Sequence, residues 1–159
     1  MQNNLSRSLQ ASTYYLSAGG DLRSMYVPWD APGSGNPGYS YLKCEIVSNF
    51  TEVDMYLGNE GDVPAVAAIT TALIKQDVDL YALPSDNPSV TPPVWAVPTF
   101  APPIGTGGVV TVVPGGKVNA AFLMPTAKDQ GLDTLVVRVH LTGGALKVET
   151  WTTGTCELY

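Results

Sequence analysis

Apolar and polar residues alternate one for one over long stretches of this chain. Near the C-terminus, Leu135, Val137, Val139 and Leu141 alternate with Thr134, Val136, Arg138 and His140. Leu146, Val148 and Thr150 then alternate with Lys147, Glu149 and Trp151. Successive side chains of a strand point to opposite faces, so a period of two predicts strands. Gly143-Gly144 lies between the two runs and offers the positive φ of a tight turn, which predicts a long antiparallel hairpin over residues 133–159. Val109–Val113 and Val118–Met124, joined by Pro114-Gly115-Gly116, predict a second hairpin by the same signals. From Tyr39 to Asn49, Leu42, Cys44, Ile46 and Ser48 share one face, and Tyr41, Lys43, Glu45 and Val47 the other. Thr51 to Leu57 puts Val53, Met55 and Leu57 on one side.

The remaining segments are less regular. Residues 1–12 form a polar tail, and the single domain spans 13–159. Thr13–Leu16 begins a strand, Gly19-Gly20 turns it, and Asp21–Val27 continues to Pro28. Ala31–Gly38 is too rich in Gly and Pro for regular structure and reads as a loop. Gly58–Asp62 is an acidic turn. Pro64–Ile74 is a short helix or a strand, because its alanines permit one while Val, Ile and Thr favour the other. Asp77–Leu83 alternates briefly. Pro84–Pro103 carries seven prolines, and since proline cannot donate to a ladder the segment is edge-like or extended. Thr126–Leu132 is a polar loop. Roughly six to nine strands spaced by Gly/Pro turns predict an all-β, antiparallel β-sandwich. Sandwiches of this size include immunoglobulin-like domains and eight-stranded jelly rolls. The tryptophan that follows the first cysteine of immunoglobulin domains has no counterpart shortly after Cys44.

Charge changes this picture. Charged residues are 14% of the 159-residue chain, against about 25% in ordinary domains. So little charge suggests surface that is covered by something else, which points to assembly. Net charge is −6 with eight scattered basic residues and no basic arm. Nucleic acid is held by clustered Lys and Arg, so direct binding by this chain alone is not expected. No apolar run reaches the roughly 20 residues of a membrane helix, and the polar start MQNNLSRSLQ lacks a secretory apolar segment. Cys44 and Cys156 read as two buried thiols in strands, with pairing left open.

Catalytic chemistry finds little support. The one histidine, His140, lies mid-strand without a G-x-S-x-G elbow, so it reads as structural or surface. Asp77 and Asp79 share a strand face, and Asp30, Asp54, Asp62 and Asp129 lie near turns. None forms a calcium loop, although such acids could hold Ca2+ between subunits. Gly33-Ser34-Gly35 and Gly105–Gly108 lack the lysine of a phosphate loop and read as turns. Aromatic residues crowd the first third of the chain. Trp29, Tyr39, Trp95 and Phe100 are the candidate contacts for an interface or for sugar stacking.

Leu132-Asp133-Thr134-Leu135-Val136-Val137-Arg138-Val139, followed by Ala145-Leu146-Lys147, Trp151 and Cys156-Glu157-Leu158-Tyr159, resembles the last two strands of jelly-roll coat proteins of small positive-strand RNA viruses, especially nodaviruses. Gly19-Gly20-Asp21-Leu22-Arg23 with Tyr26-Val27-Pro28 is similar to a strand of such coats and of picorna-like capsids. Two departures stand out: the basic arm of that group is missing, and its members are longer. The resemblance implies an eight-stranded jelly roll and a structural capsid subunit, not an enzyme, that self-assembles into an icosahedral shell. Its partners would be copies of itself or related subunits and a host receptor, and its location the virion. The rival expectations are a glycan- or receptor-binding sandwich and, last, a hydrolase with paired carboxylates.

Overall fold

The computed structural model describes residues 10–17, 39–46, 50–78, 80, 93–125, 131–152 and 155–158. Among them there is no helix. Ten strands form two antiparallel sheets: β1 (Gln10–Ser17), β2 (Tyr39–Glu45), β3 (Phe50–Gly58), β4 (Ala65–Ile74), β5 (Val109–Val112), β6 (Lys117–Asn119), β7 (Phe122–Pro125), β8 (Thr134–Gly143), β9 (Ala145–Thr152) and β10 (Cys156–Leu158). The first sheet runs β1-β9-β3-β6, with β7 also on β3, and the second runs β10-β2-β8-β4-β5. β6 and β7 follow one register along β3, so they are one strand with a break at residues 120–121.

Alternation decides which face of each strand is buried. Val53, Met55 and Leu57 of β3 and Leu146 and Val148 of β9 point inward from the first sheet. They meet Leu42 and Cys44 of β2, Ala67 and Ile69 of β4, and Leu135, Val137, Val139 and Leu141 of β8 in one apolar cluster. Each fully buried Leu or Val contributes about 1.5–3 kcal/mol relative to exposure. β4 settles the ambiguous segment as a strand. Ala65, Ala67 and Ile69 lie inward at 0% exposure, and small alanines suit a strand whose neighbours on both sides are bulky.

Three sequence expectations are corrected. The runs flanking Gly143-Gly144 do not form a hairpin: β8 belongs to the second sheet and β9 to the first. Gly144 is a corner between sheets, with φ of 74°. A Cβ there would come within 2.8 Å of the Pro64 carbonyl oxygen, so glycine is required twice over. Val109–Val113 and Val118–Met124 are likewise split between sheets. Strand alternation is local and shows which face is buried, but not which strand lies alongside. Finally, Cys44 and Cys156 are not free thiols. They form a disulfide across the directly opposed positions of β2 and β10.

Smaller differences follow. β1 starts at Gln10, inside the expected tail of residues 1–12. Residues 75–78 make a turn, closed by the Val78 amide on the Lys75 carbonyl at 3.1 Å, so the first two residues of the strand expected over 77–83 are not extended, and residues 79 and 81–83 lie outside the described residues. The Gly19-Gly20 turn, the strand over 21–27 and the loop over 31–38 lie outside the described residues.

Both flanks of the sandwich are stitched. On one, the Tyr14 hydroxyl of β1 donates to the Cys156 carbonyl of β10 at 2.7 Å. On the other, the described part of the proline-rich segment, residues 93–103, lies along the edge of β4 as its composition predicts. Ala96 exchanges two backbone hydrogen bonds with Thr71 of β4, and the Ala101 amide then donates to Ala121 beside β7. One corner is knotted by buried Asn59, whose amide nitrogen donates to the Val63 and Val112 carbonyls at 2.7 and 2.9 Å. Its oxygen accepts from the Gly61 amide.

Candidate interaction surface

The outer face of the second sheet is roofed by the chain itself. Tyr41, Val136 and Ile74 point outward yet are buried beneath Leu80, with Val78 and Trp95 packed against them. Trp95 meets Tyr41 at 5.9 Å between ring centroids. The Arg138 guanidinium lies 4.3 Å over the Trp95 ring, and Arg138 Nε donates to Thr70 Oγ1 at 2.8 Å. Burial lowers the Arg138 pKa to about 10, so it stays a cation at neutral pH. His140 lies two positions on along this face. Its pKa falls below the usual histidine value, first through burial and then through the charge of Arg138.

The outer face of the first sheet is wetter. Tyr15 is 70% exposed. Tyr56 meets Trp151 edge-on at 5.4 Å, and Lys117 lies 5.0 Å from the Tyr56 ring centroid while pairing with Glu149 at 3.3 Å. Asp54 Oδ1 and Asn119 Oδ1, both buried on this side of the sheet, have no hydrogen-bond partner among the described residues.

A third surface follows β5 and the proline-rich strap. No residue from Asn87 to Gly116 carries a charge. Within this run Val94 is 82% exposed, Val113 61%, Val97 49% and Val109 44%. Among the described residues, β5 pairs with β4 on one side and has no strand on the other. Natural edge strands are usually blunted by lysine or other charges. Here prolines and glycines flank the edge, and the exposed side chains of β5 are the uncharged Val109 and Thr111.

The four candidate contact residues separate. Phe100 is corrected outright: it is 7% exposed, and its ring packs edge-on against Phe122 at 5.7 Å within the core. The sequence placed it on an irregular segment, but that segment folds back onto β7 and buries the ring. Trp95 is half-buried under Arg138, with its indole nitrogen enclosed and without a hydrogen-bond partner. The Tyr39 backbone opposes His140 in the β2–β8 ladder, and its side chain lies outside the described residues. Trp29 lies outside them altogether. Sequence reasoning missed Val94, Val97, Val109 and Val113. The signal that could have found them was the charge-free run rather than the aromatics.

Asp77 is exposed and Asp79 is outside the described residues. Among the described residues no three His, Cys, Asp or Glu side chains converge as a metal-ion site. Comparison with protein-family models, curated proteins and solved structures found no match.

Proposed function

We propose that this chain is a jelly-roll capsid (coat) subunit that assembles with copies of itself, or with related subunits, into a closed icosahedral shell. The observation that carries the reading is the nesting of the strand pairs. β1 pairs with β9, β2 with β8, β3 with β6 and β7, and β4 with β5. That is the order obtained when a chain is folded in half and the doubled ribbon is wrapped into two sheets. Taking β6 and β7 as one interrupted strand and β10 as an addition, the described strands number eight, which supports the jelly-roll reading. The fold alone names no function, since jelly rolls also serve as lectins and cupins. What favours a shell is the scarcity of charge and the uncharged edge of β5, which has no strand beside it among the described residues. Closed symmetric assemblies repeat such uncharged contacts at every copy. The shell reading puts the protein in the virion, with calcium as a candidate bridge between acidic turns of neighbouring copies.

Negative-stain electron microscopy of the purified chain, with and without calcium, tests this reading. Uniform round particles are expected. A field of isolated subunits under every condition overturns it.

A second reading, a glycan- or receptor-binding sandwich, is favoured by the aromatic and polar face of the first sheet. Tyr56 and Trp151 there resemble a sugar-stacking platform. Binding on a glycan array that is lost with Trp151→Ala, from a protein that stays monomeric, would select this reading over the shell.

A further inference from the structure

We propose that the Cys44–Cys156 disulfide is a thiol-exchange site, a latch that small cationic or neutral thiols open to release the C-terminal strand β10. The two cysteines oppose each other directly in the β2–β10 ladder, with Cα atoms 4.0 Å apart. The next pair along is hydrogen-bonded, the Glu45 amide donating to the Thr155 carbonyl at 2.9 Å. The cysteines therefore occupy a non-hydrogen-bonded pair, where opposed side chains come closest.

β10 has few other attachments. It is three residues long, its ladder among the described residues is with β2 alone, and Glu157 and Leu158 are exposed. Among the described residues, the Tyr14 hydroxyl donates to the Cys156 carbonyl, the Thr155 hydroxyl donates to Glu45 at 3.3 Å, and Thr152 Oγ1 lies 3.6 Å from Cys156 Sγ. So few bonds do not outweigh the conformational entropy of ordering so short a strand once the covalent tie is gone.

Access and selectivity come from the surroundings. Cys44 is 1% exposed while Cys156 is partly exposed, and both line an open cleft of about 660 Å³. Glu45, Asp133 and Glu157 also line it, against a single lysine, Lys43. Lys43 Nζ already donates to the Gln76 and Val78 carbonyls. The cleft therefore repels anionic thiols and attracts cationic ones. In the exchange, a thiolate attacks Cys156 Sγ and forms a mixed disulfide there. The Cys44–Cys156 bond breaks, and its electron pair leaves on Cys44 Sγ, which takes up a proton. A second thiol attacks the reagent sulfur of the mixed disulfide and frees the Cys156 thiol. Two reagent thiols are oxidised to their disulfide, and the protein disulfide is reduced to two thiols. Release of β10 strips the Glu45 amide of its acceptor and turns β2 into an edge strand.

The test uses the full chain under native, low-salt conditions, with cysteamine and glutathione as the thiols. Free thiols are counted by mass spectrometry, and backbone amide exchange is followed residue by residue. Cysteamine is expected to reduce the bond about tenfold faster than glutathione at equal thiolate concentration, with the gap closing as salt rises. The Glu45 amide should then exchange about tenfold faster while the β8 amides keep their protection. Cys156→Ser should show the same open Glu45 amide without any thiol. Reduction only on global unfolding, an equally protected Glu45 amide after reduction, or equal rates for the two thiols would overturn the proposal.

Discussion

On the outside of the second sheet, Tyr41, Val136 and Ile74 lie sealed beneath Leu80 and Trp95, whereas on the outside of the first sheet Tyr15, Tyr56, Trp151 and Lys117 meet solvent or one another. The strands of both sheets alternate in the same way, and both send Val and Leu into the shared core. What differs is the cover. The proline-rich strap bonds to the β4 edge at Thr71, and its Trp95, with Leu80 and Val78 upstream, packs over the second sheet. A face roofed by its own chain is committed to stability, while an open face or edge remains for contact with something else. The uncharged edge of β5 lies against Ala65–Ala68 of β4, next along that strand from the strap's bonds at Thr71, and the proposed shell contacts rest on it.

The contrast can be broken most forcefully at Tyr41, which is 0% exposed. Tyr41→Ala should lose about 3–5 kcal/mol in urea denaturation, as for other buried aromatic truncations. A loss near zero would mean the roof does not pack on the sheet. Leu80→Ala, at the pin of the roof, should cost about 2–5 kcal/mol. Because it loosens a cover rather than the sheet, amide exchange should quicken first around residues 93–97. On the open face, Lys117→Ala breaks the Glu149 pair and the contact with Tyr56 but should cost only about 0–1 kcal/mol, since both partners are solvated. Tyr15→Ala should stay within about 0.5 kcal/mol of the wild type.

The smallest effect is one of pH. His140 has a lowered pKa in the folded state, so the unfolded chain takes up its proton first as pH falls. Stability is therefore full above the unfolded value of 6.5 and declines as pH drops through the folded value. His140→Gln should flatten that decline. An unchanged pH profile would indicate that the neighbourhood of Arg138 does not disfavour the imidazolium.

Much of the fold was legible in the alternation. Leu42, Cys44 and Ile46 of the second strand region, and Val53, Met55 and Leu57 of the third, all lie in the core as their period-two spacing requires. Strand partners were not legible. Gly143-Gly144 carries the chemistry of a hairpin turn, and only the long-range register of β8 on β2 and β9 on β3 makes it a corner. The disulfide was hidden for the same reason, its two cysteines being 112 residues apart. Aromatics misled the search for contacts, because a large ring on an irregular segment is as easily folded inward as displayed. Phe100 and Trp95 were both drawn into the chain by the strap that carries them.

Sedimentation of the purified protein over a wide range of concentrations, repeated with Val109→Lys on the bare edge, bears most directly on self-assembly. The account predicts a discrete, large species for the native chain that the lysine dissolves into folded monomers. A native chain that sediments as a monomer at every concentration, pH and calcium level, or an assembly indifferent to a charge on β5, would contradict it.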